Sequence, residues 1–352
     1  MTSFLIRRRL LRGSACALAV AGVWAALPRQ ARAEGLHPFE LLDMEWADAT
    51  RQRSVPVRLY LPNVSTVSPA APALTASGAG PGPRSGLFAS SSATAPLVVF
   101  SHGIGGSRRG YSYLGRHFAR NGVASLHLQH VGSDRALWMG NVFGLVGRLQ
   151  GAAQGGEAVN RALDLRFALD TLLASPLASR LDALRIVAAG HSYGANTTLL
   201  AAGARVEREG QALLLRDERV RAAIVISAPP FYGAAEPSRI LKSVTVPSLH
   251  VTATEDVIRI PGYYSGAADR VAVFDAVGGS RKWLAVFEGG SHSMFTDRAG
   301  TGGVALNSQV KAATQALALA FVRKVFGGDS AALQAWPQQH AGLLARFTSP
   351  AA

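Results

Sequence analysis

Gly190-His191-Ser192-Tyr193-Gly194 has the pattern G-x-S-x-G, which offers one serine between two glycines. The run RIVAA before it has strand character, and a helix-forming stretch begins near Ala195. The serine is therefore expected on a sharp strand-to-helix turn, the context in which this motif presents a nucleophile. Such a turn strains the nucleophile's backbone, and glycines two before and two after let strand and helix approach without a Cβ clash. The helix N-terminus beneath Ser192 favours negative charge developing on the reacting oxygens. A serine hydroxyl is a weak nucleophile until a base takes its proton, and a nucleophile on this kind of turn is followed along the chain first by its acid and then by its histidine.

The histidines beyond the motif are His250, His292 and His340. His250 lies inside a strand-like run and reads as packed, and His340 sits in a polar tail after Pro337. His292, in Glu288-Gly289-Gly290-Ser291-His292-Ser293, directly follows the apolar run WLAVF and is the expected base. The acid must fix the imidazole tautomer and stabilise its positive charge. Thr254-Glu255-Asp256 ends the strand-like run Pro247 to Ala253, between nucleophile and base, so Asp256 is the expected acid and Glu255 its alternative. Asp164, Asp170, Glu207 and Asp217 fall on helical or polar stretches and read as solvated surface. An oxyanion needs two convergent backbone N–H groups. Tyr193, next to the nucleophile, is expected to supply one, and Ile104 in Phe100-Ser101-His102-Gly103-Ile104-Gly105-Gly106 the other, with His102 bracing that loop by a hydrogen bond.

These residues need a scaffold that brings several strand ends together. VPVRLYL (55–61) alternates as a half-buried strand, and LVVF (97–100) is a continuous apolar run of the kind buried on both faces. Helices are expected at 111–121, 157–173, 195–204 and 309–326, and strands at 124–128, 184–189, 222–227, 247–253 and 283–287. Strands alternating with helices predict an α/β fold on a mostly parallel sheet with helices on both faces. Residues 63–96 are rich in Ser, Ala, Pro and Gly and read as a flexible insertion. The Gly-rich stretch 132–156 is either a lid or an irregular crossover, and its Trp138 and Phe143 are expected to border an acyl pocket.

VVFSHGIGGSRRGYSYLGRHFARNGV, the later LQHVGSD and then GHSYGA resemble the α/β-hydrolase superfamily, and within it the platelet-activating-factor acetylhydrolase and dienelactone-hydrolase-like group. The resemblance covers roughly Val55 to Phe326. It implies the α/β-hydrolase fold and ester hydrolysis by a serine mechanism without a cofactor. The acetylhydrolases carry their acid after the strand next beyond the nucleophile, where this chain reads Ile226-Ser227-Ala228 and has no carboxylate. The acid therefore shifts to Asp256, as in bacterial esterase and cutinase-like relatives, and phospholipid specificity is not inherited. Lipase, polyesterase or amidase activity on the same three residues stays open, as does a non-catalytic scaffold of this fold that binds a ligand.

Arg7-Arg8-Arg9-Leu10-Leu11-Arg12, an apolar stretch from Ala15 to Leu27 and Ala31-Arg32-Ala33 follow the order of an export signal, so residues 1–33 are expected to be removed and 34–352 to form a single domain. The paired arginines resemble the twin-arginine signal, with general secretion as the alternative. A periplasmic or secreted protein follows, with no stable membrane anchor, because the apolar run is too short to span. The sole cysteine, Cys16, lies within that signal, so no disulfide is available to the rest of the chain. Net charge is +14, but the first 33 residues hold six of the cations and no acid, leaving +8 on the remainder. No basic run interleaved with aromatics stands out, which argues against a nucleic-acid partner. With 48% hydrophobic and 16% charged residues the chain can bury a sizeable core. No metal-ligand spacing stands out, and the expected partner is a small or lipid-like ester.

Overall fold

The computed structural model describes residues 38–63, 94–208, 210–233, 236–297 and 303–350. The expected export signal, with Cys16, and most of the expected insertion, 64–93, lie outside the described residues. Strands β1 (Phe39–Asp48) and β2 (Arg53–Pro62) form a hairpin, and β3 (Ala95–Ser101) resumes after the insertion. Helix α1 (Ser112–Arg120) leads to β4 (Ala124–Leu128). Two 3-10 turns and α2 (Leu145–Ala152) precede the long helix α3 (Gly155–Leu173). β5 (Leu181–His191) then runs into α4 (Tyr193–Ala202). After the small hairpin β6 (Val206–Arg208) and β7 (Gln211–Leu213) come β8 (Val220–Ile226), α5 (Pro237–Leu241) and β9 (Ser248–Glu255). A second small hairpin, β10 (Ile258–Ile260) and β11 (Tyr263–Ser265), precedes α6 (Ala267–Ala276) and β12 (Lys282–Ser291). Helices α7 (Val304–Gly327) and α8 (Ala331–Gln339) and strand β13 (Leu344–Thr348) end the fold.

The main sheet has the order β1-β2-β4-β3-β5-β8-β9-β12-β13. The six strands from β4 to β12 pair in parallel, and the antiparallel pairs lie at the two edges. Side chains alternate across a strand, so each central strand feeds two cores. Leu97 and Val99 of β3 join Ala162, Leu165 and Leu169 of α3 on one face. Val98 and Phe100 join Leu114 and Phe118 of α1 and Leu317 and Phe321 of α7 on the other. This double burial is why LVVF reads as a continuous apolar run.

The sheet is larger than the sequence predicts by its edges. β1 has a neighbour on one side only and carries Glu40, Asp43 and Glu45 among its apolar residues, which blurs the alternation. β13 falls in the segment that reads as a polar tail, where His340 stacks on Trp336. The stretch 132–156, read as a lid or an irregular crossover, supplies the 3-10 turns and α2. Among the described residues no helix is long and apolar enough to cross a membrane.

Candidate active site

Ser192 stands between the last residue of β5 and the first of α4, so the helix begins one residue after it instead of near Ala195. Its backbone has φ 56° and ψ −125°, a conformation that costs of order 1–3 kcal/mol for a residue with a side chain. The glycines are required by contact: a Cβ on Gly190 would overlap the Gly194 carbonyl, and one on Gly194 would overlap the Ser101 carbonyl. The Ser192 N–H donates to the Ile226 carbonyl of β8 at 2.9 Å, which anchors the turn to the sheet.

Asp256 follows the last residue of β9 and His292 the last of β12, so both loops open at the carboxyl edge of the parallel strands, beside Ser192. The Ser192 hydroxyl donates to His292 Nε2 at 2.7 Å, and His292 Nδ1 donates to Asp256 Oδ1 at 2.7 Å. A carboxylate only accepts, so Nδ1 carries the proton and Nε2 is left free to receive one. Asp256 is fully buried, and its Oδ2 accepts from the Thr252 hydroxyl at 2.8 Å. Burial by itself would raise this carboxyl, but the His292 hydrogen bond and charge, with Arg270 and Ser227 beside it, hold it well below the usual carboxylate value. Glu255, the alternative acid, is exposed.

The loop after β3 packs directly on Ser192, since a Cβ on Gly103 would lie 3.2 Å from the Ser192 Cβ. The Tyr193 N–H is at the first position of α4, where a helix has no acceptor of its own to offer. The Ile104 N–H makes no hydrogen bond among the described residues. His102 braces the loop, with Nδ1 against the Gly103 carbonyl at 2.7 Å and Nε2 accepting from the His130 N–H at 3.0 Å.

A cavity of about 1030 Å³ opens over Ser192 and runs between Ile104, Val159, Leu213, Phe231 and Ile260. Trp138 and Phe143, expected to border an acyl pocket, are not among its walls. Phe143 is 94% exposed, and Trp138 lies over the loop with its Nε1 donating to the Gly105 carbonyl at 2.8 Å. The first 3-10 turn lays Trp138 on the loop after β3 and the second points Phe143 outward, while Leu149 of α2 reaches the cavity.

Two other residues at the site, Arg270 and His191, have no role assigned from the sequence. Arg270 of α6, a helix the sequence reading lacks, is buried with Nε 3.5 Å from Asp256 Oδ1. His191 donates from Nε2 to the His292 carbonyl at 2.9 Å and accepts at Nδ1 from the Tyr111 hydroxyl at 2.8 Å, fixing the main chain at His292. Burial and the nearby His292 push the His191 imidazole down to about 3, so it stays neutral. Asp164 and Asp217 correct the expectation of solvated surface. Asp164 is fully buried and pairs with Arg51 at 2.9 Å and Arg53 at 2.8 Å, and Asp217 is buried against Arg219. Each is held inside because an arginine offsets its desolvation. Asp164 shares a helix face with Leu165 and Ala168, the periodic signal that could have placed it inside.

A family model described as platelet-activating factor acetylhydrolase, isoform II, matches residues 71–139, which include β3, the loop after it, α1 and β4. A solved structure of a ferulic acid esterase from Streptomyces cinnamoneus is similar, with a TM-score of 0.55 and 24% identity over 83% of this chain and 91% of that one. No curated protein gives a significant match. The chain thus has the α/β-hydrolase fold and resembles, within that fold, the platelet-activating-factor acetylhydrolase and dienelactone-hydrolase-like group.

Proposed function

We propose that the protein is a serine hydrolase of carboxylic esters, with Ser192 as nucleophile, His292 as base and Asp256 as the acid that orients it. The observation that carries this reading is the continuous hydrogen-bond chain from Ser192 Oγ through His292 to a buried Asp256, opening onto a cavity of about 1030 Å³. The family match and the fold support an ester as substrate.

Ser192 Oγ attacks the ester carbonyl carbon while its proton passes to His292 Nε2. The carbonyl oxygen becomes an oxyanion held by two N–H groups, that of Ile104 on the loop after β3 and that of Tyr193 at the start of α4. The C–O bond to the alcohol breaks as His292 returns the proton to the leaving oxygen, which leaves an acyl group on Ser192. A water gives its proton to His292, attacks the acyl carbon, and the acid departs as Ser192 recovers its hydrogen. The mainly apolar cavity suits an acyl or alkyl group of substantial size. We further propose export, with residues 1–33 as a signal removed near Ala33 and a single domain remaining.

Ser192→Ala should lower kcat on p-nitrophenyl esters by about 10⁴-fold or more while the protein stays folded. A tenth of wild-type turnover remaining in that variant would overturn the nucleophile. Wild-type protein should also be labelled by a fluorophosphonate probe, and the labelled peptide should contain Ser192.

A further inference from the structure

Arg161 of α3 has no exposed surface, yet it carries a full positive charge, because a guanidinium does not give up its proton in a protein. No step of the proposed reaction uses it. Its three arms reach both sides of the proposed oxyanion site. Nη2 donates to the His102 carbonyl, and Nη1 donates to the Ser133 hydroxyl at 2.8 Å. Ser133 in turn accepts the Gly105 N–H on its own carbonyl at 2.8 Å, so Ile104 is held from the residues on both sides of it. Nε donates to the Thr197 hydroxyl at 3.0 Å, and that hydroxyl donates to the Tyr193 carbonyl at 3.1 Å. The guanidinium also lies 4.6 Å from the centre of the Tyr193 ring.

We propose that Arg161 is the positioning residue of the oxyanion site: one planar, buried fork sets the loop carrying Ile104 against the helix carrying Tyr193, so that their two N–H groups converge. A guanidinium suits this task because its donors diverge in a fixed plane, whereas an ammonium is a point charge on a flexible stem. The loop is seated on the other side by a buried relay that resembles a second catalytic chain. Ser101, the last residue of β3, lies 3.0 Å through Oγ from His130 Nε2, and His130 Nδ1 lies 3.0 Å from Asp164 Oδ2. All three side chains lack exposure, so no ester reaches Ser101, and the relay serves to hold the strand end. Arg161 and Asp164 stand one helical turn apart on α3, which makes that helix the support of the loop.

The inference rests on the esterase reading, and the test separates the two. Steady-state hydrolysis of p-nitrophenyl butyrate, the rate of fluorophosphonate labelling and the thermal midpoint are measured on the mature protein, on Arg161→Lys and Arg161→Met, and on Thr197→Val. Arg161→Lys keeps the charge and loses the fork. Its kcat should fall about 10²-fold, the cost of misplacing an oxyanion donor, with KM within about threefold, and labelling should slow in parallel because phosphonylation uses the same donors. Thr197→Val breaks one arm and should lower kcat by about 5–10-fold with KM unchanged, less than a whole lost donor. A merely structural arginine would lower the thermal midpoint and leave kcat of the folded protein intact. Folded Arg161→Lys or Arg161→Met with kcat within about threefold of wild type would therefore overturn the proposal. If neither folds, wild-type kcat in Thr197→Val overturns it. Wild-type protein that neither hydrolyses the ester nor takes the label would overturn the esterase reading and this role together.

Discussion

A carboxylate without exposure persists at position 256 because both of its oxygens are engaged: Oδ1 faces His292 and Arg270, and Oδ2 takes the Thr252 hydroxyl. Asp256→Asn preserves this shape but offers His292 an amide, which favours the wrong tautomer. The expected loss is up to about 10⁴-fold in kcat at neutral pH, read on p-nitrophenyl butyrate. Glu255→Gln, one residue away and exposed, should stay within about twofold, as surface changes away from the chemistry usually do. Equal losses in the two variants would mean that chain position and not the His292 contact matters. Ser227, which stands where the resembled acetylhydrolases carry their acid, sits at φ 52° beside the Asp256 carboxylate. Two different strands thus deliver a side chain to one place, and here the one from β9 holds the charge.

At the scale of elements, the segment from the first 3-10 turn to α2 is tied to the loop after β3 by an inner surface and presents an apolar outer one. Ile104 packs against Leu137, Leu149 and Ala152, and Trp138 donates to the Gly105 carbonyl. Outside, Met139 and Phe143 are 70% and 94% exposed. Trp138→Phe keeps an aromatic ring and removes the donor, so kcat should fall by about 3–10-fold, of the order expected for one net hydrogen bond, with little change in thermal midpoint. Phe143→Ala should leave turnover of a soluble ester unchanged, and a loss there as large as that of Trp138→Phe would bring Phe143 back to the pocket. Acyl size is expected to be read by the cavity walls instead. Val159→Trp, on the cavity face of α3, should reduce kcat/KM for a dodecanoate by about tenfold more than for an acetate, the scale on which a filled apolar pocket discriminates. Uniform loss across the chain-length series would count against that placement.

Across the whole molecule, an unusual number of imidazoles is sealed inside the fold. Burial pushes His127, His130, His191 and His250 down to about 3, offset in part by hydrogen-bond or charge partners at the first three and reinforced by Lys282 at His250. An unfolded chain protonates histidine near pH 6.5, so between that pH and about 3 the unfolded state binds protons that the folded state refuses. Stability is therefore complete above pH 6.5 and falls as the pH drops, each such histidine adding a slope of up to about 1.4 kcal/mol per pH unit. Asp164, held at about 2 against its burial by His130 and Arg53, adds a further loss below pH 4 in the same direction. Urea midpoints measured from pH 7.5 to 4.5 should decline steeply below pH 6.5. A flat profile would show that these histidines are protonated in the folded protein.

The placement of Ser192, His292, Asp256 and the loop at Ile104 at strand ends was legible in the sequence because each sits in a short segment whose neighbours announce a strand end, and a parallel sheet gathers its strand ends along one edge. The α/β alternation was legible for the same local reason: periodicity of 2 or 3.6 is set by which faces of a strand or helix are buried. Edge strands β1 and β13 escaped, since a strand with one neighbour needs less apolar surface to stay paired. Arg161, Asp164 and Arg270 escaped for a different reason. A charge on a helix reads as solvent-facing until its partners are known, and the partners here lie on the 51–53 hairpin, the loop after β3 and the end of β9, distant in sequence. The walls of the cavity, the seat of Trp138 on the loop after β3 and the outward turn of Phe143 likewise depended on tertiary structure, because composition shows that a segment is apolar but not which of its sides meets the core.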